Sequence, residues 1–415
     1  PNDARSIIVL SPEDMENPDT NVIKSVLAIT NSKRRKAEPY HIVAEIKDIR
    51  NMEAAELVGG DEAVYVLSSD LISRITAQTC RQSGLSIVYS ELMQFEGDEI
   101  YFQAEEKLTG KTYKESLFMY EDSSVIGIFT KDQDVLINPE MDYMIQDGDE
   151  VIAISEDDDT VVLSEGVNSA PDLSVISEQE EKPVGIERAI LLGWNTNGIR
   201  IIEELDNYVL KGSEVTILAQ VDEIEELEEL RETVNNVTIN FQKGYTNNKR
   251  ALESMKIETY DHVIILSYMD GIDIQESDAK TLITLLHLRN ISEATGKQLS
   301  IVSEMLDMRN RELAEVAKAD DFIVSDNLIS LMLTQLSENK FLKQVYDILF
   351  ESEGSELYLK DVEQYVKTGV EMNFYSVLES ATLKSDTAIG YRKMEYANDS
   401  DMMYGIKINP KKSDI

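Results

Sequence analysis

The sequence predicts an α/β protein in which one Rossmann-like plan occurs twice, each time followed by a small β-rich lobe. Three pairs of segments recur in the same order and at nearly constant spacing. These pairs are SIIVLS at 6–11 with HVIILS at 262–267, EIKDIRNMEAAE at 45–56 with EMLDMRNRELAE at 304–315, and DLIS at 70–73 with NLIS at 327–330. Matches that keep their order and spacing indicate that one supersecondary unit is repeated.

The first copy alternates short β-branched strands with helical patterns, which is typical of a parallel sheet with helices on both faces. The predicted strands are 6–10, 41–46 and 63–67, and the predicted helices are 22–27, 49–58 and 71–82.

The second copy contains an additional upstream half, from about Arg188 to Lys256, that has no counterpart before Ser6. This half is predicted to hold a strand from Arg188, a helix through Leu205, a strand at 214–219 and an acidic helix at 222–234. We therefore expect that the first domain lacks its N-terminal half and that the chain begins inside that domain.

Short β patterns separated by turn signals follow each copy and predict the two smaller lobes. In the last lobe, SELYLK at 355–360 resembles DEIYFQ at 98–103, and GIKINP at 405–410 resembles DVLINP at 134–139. We expect five regions along the chain. They are the first Rossmann-like lobe with its crossover helix at 1–98, its β lobe at 99–155, an acidic linker at 156–187, the second Rossmann-like lobe at 188–342, and an incomplete second β lobe at 343–415.

Composition limits the partners of this chain. It has 39 basic and 79 acidic residues and a net charge of −40, which repels nucleic-acid phosphates and favours cations or basic partners. The single cysteine, Cys80, cannot form an intrachain disulfide, and three histidines leave little material for a zinc site. The apolar runs are too short to span a bilayer, so any membrane attachment must lie outside these residues.

A possible phosphate loop lies where the strand after Arg188 turns into a helix. The segment Gly193–Gly198 occupies the place of a dinucleotide fingerprint, but Asn195 replaces the glycine that lets the backbone approach a pyrophosphate. The next strand ends in Ala219 and Gln220 instead of a ribose-binding acid. Gly193, Asn195 and Gly198 are therefore weak nucleotide candidates, and a structural turn is the favoured interpretation.

Several stretches resemble the CASTOR/POLLUX family of cation channels, whose soluble part carries tandem RCK domains, which regulate potassium conductance. The stretches include LVGG at 57–60, MQFEGDEIYF at 93–102, INPEMDYMIQDGDEVIAISEDDDT at 137–160, ESDAKTLITLLHLRNI at 276–291, FESEGSELYL at 350–359 and EMNFYSVL at 371–378. The resemblance implies a ligand-sensing gating ring of four chains, coupled to a transmembrane pore encoded upstream. It implies the cytosolic face of a membrane, and we expect a bacterial plasma membrane rather than a plant nuclear envelope.

Calcium is the expected ligand of such an acidic ring, because it prefers six to eight oxygen ligands and carboxylates in particular. The candidate carboxylates follow strand ends in both copies or stand in an acidic run after the first β lobe. They are Glu13, Asp14, Glu16, Asp19, Asp48, Asp270, Asp273, Glu276, Asp278, Asp157 and Asp158. None of these groups has EF-hand spacing, and solvated loops remain the alternative for each residue.

Other charged and aromatic residues have structural interpretations. Asp48 and Asp307 are favoured as helix caps, and Arg74 and Arg200 as partners in an ion pair between domains. His262 and His287 are expected to pack in the core, and Trp194 is expected to pack beneath the turn at 193–198.

No catalytic constellation is present in the sequence, so we expect a protein that is not an enzyme. Two alternatives to the channel gating ring stay open. One is a peripheral RCK-type regulatory subunit of a potassium uptake system, and the other is an NAD-dependent enzyme that binds its cofactor at 193–198.

Overall fold

The computed structural model describes the chain except for residues 13, 14, 16, 165–169, 178, 180–184, 269–272, 311, 312, 314–320, 353 and 398. The chain divides into two compact units. Unit 1 comprises Pro1–Ser86 and Val184–Lys343, and unit 2 comprises Ile87–Pro183 and Gln344–Ile415. Each unit therefore combines a segment from the first half of the chain with one from the second half.

The strands follow the predicted alternation closely in both copies. In chain order they are β1 (Ile7–Val9), β2 (Ile42–Ile46), β3 (Ala63–Leu67), β4 (Glu99–Ala104), β5 (Ser124–Phe129), β6 (Val135–Ile137), β7 (Glu150–Ser155), β8 (Arg188–Leu192), β9 (Ser213–Ala219), β10 (Val237–Lys243), β11 (His262–Ile265), β12 (Ser300–Met305), β13 (Asp321–Val324), β14 (Gly390–Arg392) and β15 (Ile406–Ile408).

The helices fill the intervals between these strands. The described α-helices are α1 (Pro18–Thr30), α2 (Met52–Gly59), α3 (Ser68–Arg81), α4 (Leu85–Met93), α5 (Tyr113–Leu117), α6 (Gly198–Tyr208), α7 (Leu227–Thr233), α8 (Lys249–Ser254), α9 (Ile274–Thr295), α10 (Ser325–Glu338), α11 (Leu342–Phe350) and α12 (Phe374–Thr382). None of the helices in the described ranges combines the length and the apolar character needed to cross a bilayer.

The two parallel sheets of unit 1 confirm the predicted α/β fold and its repeat. The larger sheet has the order β10-β9-β8-β11-β12-β13, which is the doubly wound order of a Rossmann fold with its reversal between β8 and β11. The smaller sheet, β1-β2-β3, reproduces the order of β11-β12-β13. Strand β10 was not predicted, although its buried Val237 and Ile239 alternate with exposed residues as in an edge strand.

The helices that follow the last strand of each copy are exchanged between the two sheets of unit 1. Helix α3 leaves the first sheet and contacts β11, β12, β13 and α6 of the second copy. Helix α10 leaves the second sheet and contacts β1, β2 and β3 of the first copy. All five residues of β2 are buried as a result, because α1 and α2 cover one face of this strand and α10 covers the first sheet as well.

Unit 2 contains the two smaller lobes, and they differ more than their sequences predict. The first is an antiparallel sheet with the order β4-β7-β5-β6, whereas the second has only the β14-β15 hairpin beside α12. The resemblance of 355–360 to 98–103 does not extend to secondary structure, because 355–360 is irregular whereas 99–104 forms β4. The acidic helix at 222–234 is also shorter than predicted and begins only at Leu227.

Matching asparagines hold the two lobes of unit 2 together. Asn138 and Asn409 each follow a short strand, and both have a φ of 45°. Asn138 Nδ2 donates to Ser385 O at 2.9 Å, and Asn409 Nδ2 donates to Asp122 O at 2.9 Å. Ser385 and Asp122 occupy equivalent positions before β14 and β5. Each lobe therefore donates an asparagine amide to the same backbone carbonyl position of the other lobe.

A tyrosine pair repeats this reciprocal arrangement on α4 and α11. The hydroxyl of Tyr346 donates to Leu92 O at 3.1 Å, and the hydroxyl of Tyr89 donates to Leu349 O at 3.5 Å. The rings of Tyr89 and Phe350 meet edge to face, with centroids 4.8 Å apart. Each lobe of unit 2 thus donates a tyrosine hydrogen bond to the other lobe, so the contact between the lobes is reciprocal.

We predict that Asn409→Gly destabilises the protein by about 2 kcal/mol and that Asn138→Gly costs about 1 kcal/mol, measured by chemical denaturation. Glycine keeps the left-handed backbone, so both variants isolate the side-chain hydrogen bonds. Asn409 is 8% exposed, and its amide also binds Asp98 Oδ1 at 2.7 Å, whereas the Asn138 bond to Ser385 is exposed. If both variants lowered the free energy of unfolding by the same amount, the buried hydrogen bonds of Asn409 would not be stronger than the exposed bond of Asn138.

Candidate functional site

The carboxyl ends of the parallel strands in unit 1 are the place where open α/β sheets bind ligands. Four of the predicted calcium ligands there, Glu13, Asp14, Glu16 and Asp270, lie outside the described residues. The others in unit 1, Asp19, Asp48, Asp273, Glu276 and Asp278, have defined partners.

Asp19 and Asp278 occupy equivalent positions and make identical sets of hydrogen bonds. Asp19 is 2% exposed and accepts from Lys47 N and Asp48 N, each at 2.9 Å, and from Asn51 Nδ2 at 2.9 Å. Asp278 is fully buried and accepts from the two backbone amides and the asparagine amide that correspond to these donors. Its three donors are Leu306 N at 3.0 Å, Asp307 N at 3.0 Å and Asn310 Nδ2 at 2.7 Å. Asp19 therefore holds the turn after β2, and Asp278 holds the equivalent turn after β12.

Asp48 and Asp307 act as caps in this same turn, as the sequence predicted. Each accepts from the backbone amide two residues later and forms a bidentate ion pair with the arginine at that position, Arg50 or Arg309. Hydrogen bonds from the arginine side chains lower the pKa of both aspartates, that of Asp307 to about 2. Both side chains are therefore ionised at neutral pH and already neutralised by a neighbouring cation.

The remaining acidic candidates lie near the surface. Asp273 caps α9 by accepting from Gln275 N at 2.9 Å, and Glu276 pairs with Lys280 at 3.2 Å. In unit 2, carboxylate oxygens of Asp157, Asp158 and Asp159 lie within 4.8 Å of one another and are exposed. Asp157 also accepts from Asp158 N at 2.7 Å, so part of this cluster serves the local turn.

A further buried carboxylate lies at this edge in each copy and was not among the candidates named from the sequence. Glu45 is the penultimate residue of β2 and is 8% exposed, and Glu304 holds the equivalent position in β12 and is 2% exposed. The aligned segments that begin EIKDIR and EMLDMR place a glutamate first in both copies. An acidic residue inside an apolar strand was the signal that could have identified both residues.

The second-copy carboxylate site, formed by Glu304, Ser267 and Ser325, is filled with hydrogen-bond donors. Glu304 accepts from Ser267 N at 3.0 Å, Ser267 Oγ at 2.9 Å and Ser325 Oγ at 3.0 Å. It also accepts from Asn195 Nδ2 at 2.7 Å and Asn197 Nδ2 at 3.3 Å. A buried carboxylate is tolerated when donors satisfy it in this way.

The first-copy carboxylate site, formed by Glu45, Ser11 and Ser68, has fewer donors. Glu45 accepts from Ser11 N at 3.2 Å and interacts with the Ser68 hydroxyl. Ser11 Oγ is buried and has no hydrogen-bond partner among the described residues. Burial raises the pKa of Glu45, and these two serine contacts offset only part of that effect. Among the residues that the structure describes, this site therefore has fewer donors than its counterpart.

The nucleotide-loop candidates form a structural turn. Asn195 Nδ2 donates to Ser267 O at 3.0 Å, and Asn195 Oδ1 accepts from Asn197 N at 3.0 Å. A Cβ at Gly193 would lie 2.5 Å from Leu266 O, and a Cβ at Gly198 would lie 2.6 Å from the Trp194 ring. These glycines therefore allow close packing inside the protein, and Trp194 packs against the turn as predicted.

Ion pairs link the two copies within unit 1. Asp70 on α3 binds Arg200 on α6 at 2.9 Å and Arg74 at 2.8 Å, which confirms the predicted pairing between the copies. Glu187 binds Arg81 at 2.8 Å and His262 Nε2 at 3.0 Å, so His262 is a partner of a carboxylate and not simply a core residue. Burial opposes ionisation of Glu187, but the hydrogen bonds from His262 and Arg81 prevail and lower its pKa to about 2.

Comparison with known proteins agrees with this architecture. Residues 69–171 match the family described as Castor and Pollux, part of voltage-gated ion channel, and residues 189–325 match the TrkA-N domain. The human SLO3 gating ring shares the fold, with a TM-score of 0.72 at 14% identity over 99% of this chain and 85% of that chain.

Two rice proteins (Oryza sativa subsp. japonica) match along nearly the whole chain. The probable ion channel POLLUX is 30% identical over 453 residues, covering 99% of this chain and 46% of the rice protein. The probable ion channel CASTOR is 28% identical over 435 residues, covering 94% of this chain and 48% of the rice protein. The chain thus spans about half the length of the curated relatives it matches.

These relatives correct one expectation and support another. The expected bacterial plasma membrane is wrong, because the matching curated relatives are plant proteins. They are named as ion channels, which agrees with the expectation that this chain is not an enzyme. The chain is thus similar along nearly its whole length to the CASTOR/POLLUX ion channels, and it shares the fold of the SLO3 gating ring.

Proposed function

We propose that this chain is the ligand-sensing gating-ring region of a cation channel and that Ca²⁺ is its ligand. The family match and the shared fold with a gating ring support a regulatory role. The channel activity of a complete protein is part of the proposal, because the chain spans about half of its relatives.

The contrast between Glu45 and Glu304 carries the calcium proposal. Within the described part of the chain, Glu304 has five donor contacts, whereas Glu45 has one backbone amide and one serine hydroxyl. A cation beside Glu45 would stabilise its buried charge and give Ser11 Oγ a partner. Ca²⁺ suits this role, because carboxylate and hydroxyl oxygens are its preferred ligands.

The surrounding sequence can supply further oxygen ligands. Ser11 is followed by the acidic segment Glu13, Asp14 and Glu16, which the sequence marked as a calcium loop. A cation bound to Glu45 would lie near the carboxyl end of β2. Because α10 of the second copy contacts β1 and β2, binding there would involve elements of both copies within unit 1. Binding shifts such an arrangement only if one form holds the cation more tightly.

A ring also requires contacts between chains, and we propose that equivalent faces of α1 and α9 provide them in a homotetramer. Leu27 on α1 is 46% exposed, and Leu286 at the equivalent position on α9 is 52% exposed. The same apolar side chain is therefore displayed once by each copy. Repeated apolar positions of this kind suit a symmetric assembly of identical chains.

The alternative of a peripheral regulatory subunit of a potassium uptake system has one observation in its favour, the TrkA-N match at 189–325. A pore on the same polypeptide supports the channel, and a pore on a separate protein supports the subunit. The filled turn around Asn195 argues against an NAD-dependent enzyme, because the amide occupies space that a pyrophosphate needs.

We predict that Glu45→Gln lowers the Ca²⁺ association constant at least tenfold in isothermal titration calorimetry, because it removes the charge that the cation stabilises. The matched control is Asp157→Asn with Asp158→Asn, which alters the exposed carboxylates of unit 2. Binding that survives Glu45→Gln but is lost in the control would move the site to unit 2. No heat from the wild type at millimolar Ca²⁺ would remove the calcium proposal.

We predict that Ca²⁺ affinity declines on acidification while the pH is still above the usual carboxyl range. Burial raises the pKa of Glu45 above its ordinary value of 4.5, so protons compete with the cation at a higher pH than at an exposed glutamate. Calorimetric titrations over a series of pH values from neutral to acidic measure this effect. A decline in affinity that begins no earlier than expected for an exposed glutamate would contradict a role of Glu45 as a ligand.

We predict that Leu27→Asp combined with Leu286→Asp shifts the protein from tetramer to smaller species in light scattering, because a charge in an apolar contact is costly. Leu210→Asp is the control, since Leu210 is 48% exposed but lies outside α1 and α9. A wild-type protein that stays monomeric at high concentration would refute the assembly.

A further inference from the structure

We propose that residues 409–413 form a pH-sensitive strap in unit 2, which closes over the first lobe more tightly when the Lys412 side chain loses its proton. The strap follows β15 and belongs to the second lobe. The proposal concerns a contact inside unit 2, and it does not depend on calcium binding in unit 1.

The strap is bound to the first lobe along its length. Asn409 Nδ2 donates to Asp122 O at 2.9 Å. Lys412 N donates to Glu121 O at 3.2 Å, and Ser413 N donates to Glu121 Oε1 at 2.9 Å. These bonds carry the Lys412 side chain into the contact between the two lobes.

Lys412 is a buried cation in this contact. The residue is 1% exposed, and its Nζ donates to Ser123 O. Within the described part of the chain, that carbonyl is the acceptor of the ammonium, and Lys412 forms no ion pair there. A charge that loses its hydration without a bound counter-charge is costly, so the protonated lysine opposes closure of the strap.

The neighbouring carboxylates are held by other groups. Glu121 Oε2 accepts from the Tyr375 hydroxyl at 2.7 Å, and Asp122 pairs with Lys411 at 3.5 Å. Burial opposes ionisation of Glu121, but hydrogen bonds from Ser413 and Tyr375 prevail and lower its pKa, so it stays charged above neutral pH. The titratable groups around the strap are Asp98, Glu121 and Asp122 of the first lobe, Tyr375 of α12, and Lys411 of the strap itself.

The equivalent position in the first lobe has an apolar side chain. Met141 stands three residues after Asn138, as Lys412 stands three residues after Asn409. Met141 O accepts from Lys114 N, the second residue of α5, at 3.0 Å. Lys412 O accepts in the same way from the second residue of α12 at 3.2 Å. Because Met141 packs against the core of its lobe, this segment does not require a cation in order to fold.

The direction of the pH effect follows from the burial of the ammonium. Burial lowers the pKa of Lys412 from 10.5 to about 8, and the nearby charges of Glu121 and Asp122 offset only part of that effect. A lysine released into solvent regains its ordinary pKa, so the open strap binds more protons than the closed strap between these two values. The closed form therefore gains stability as the pH rises, and its ratio to the open form increases about tenfold between pH 7 and pH 9.

Hydrogen exchange of single backbone amides tests the proposal in the wild-type protein. The Tyr375 amide reports opening of the strap, because its acceptor is Lys412 O. After correction for the intrinsic exchange rate, we expect its protection to rise about tenfold from pH 7 to pH 9. The Lys114 amide is the internal control, since it makes the equivalent bond to Met141 O and should keep constant protection.

Lys412→Met gives the strap the side chain that the first lobe carries. We expect protection of the Tyr375 amide at pH 7 to exceed that of the wild type and to change little up to pH 9. Lys411→Met is the matched control, because it removes an exposed cation from the neighbouring position. This control should keep the pH dependence of the wild type.

Each measurement can overturn the proposal. A constant ratio of Tyr375 to Lys114 protection in the wild type would show that the strap does not respond to pH, and this comparison needs no variant that could fail to fold. A tenfold rise that persists in Lys412→Met would assign the response to another group and would refute the role of Lys412.

Discussion

A carboxylate buried near the carboxyl end of β2, and of β12 in the second copy, is the constraint on which each half of this protein depends. Glu45 and Glu304 lie where a charge is costly unless donors or a cation surround it. The second copy meets this requirement with two serines and two asparagines, whose turn is shaped by close glycine contacts. In the described part of the first copy, the Ser11 amide and the Ser68 hydroxyl are the groups that meet Glu45.

The exchange of helices explains why one half can influence the other. Helix α3 follows β3 but lies on the second sheet, and α10 follows β13 but lies on the first. The Asp70–Arg200 pair and the Glu187 pairs with Arg81 and His262 join the copies at polar points within unit 1. The end of β2 therefore lies close to elements of both copies, and a structural change there would affect both.

Much of the fold could be predicted because its signals are local. The repeated segments, the β-branched strands and the helix-capping aspartates depend on neighbours a few residues away. Strand β10 escaped prediction because it is an edge strand with only alternate residues buried. The segment 355–360 resembles 98–103 in sequence but is irregular where 99–104 forms β4, because strand formation depends on the surroundings of a segment as well as on its residue types.

The sequence predicted the position of the site, at the carboxyl ends of the strands, but not which carboxylates are buried there or which donors bind them. The sequence by itself determined that two related α/β halves carry acidic residues at the carboxyl ends of their strands. Only the tertiary structure decided that Asp19 and Asp278 are occupied by backbone amides, and that the amide of Asn195 reaches Glu304 across 109 positions of the chain. The physical reason is that a buried charge needs hydrogen-bond donors that folding brings close to it. The distance between a carboxylate and a donor far away in the sequence cannot be inferred from the spacing of residues along the chain.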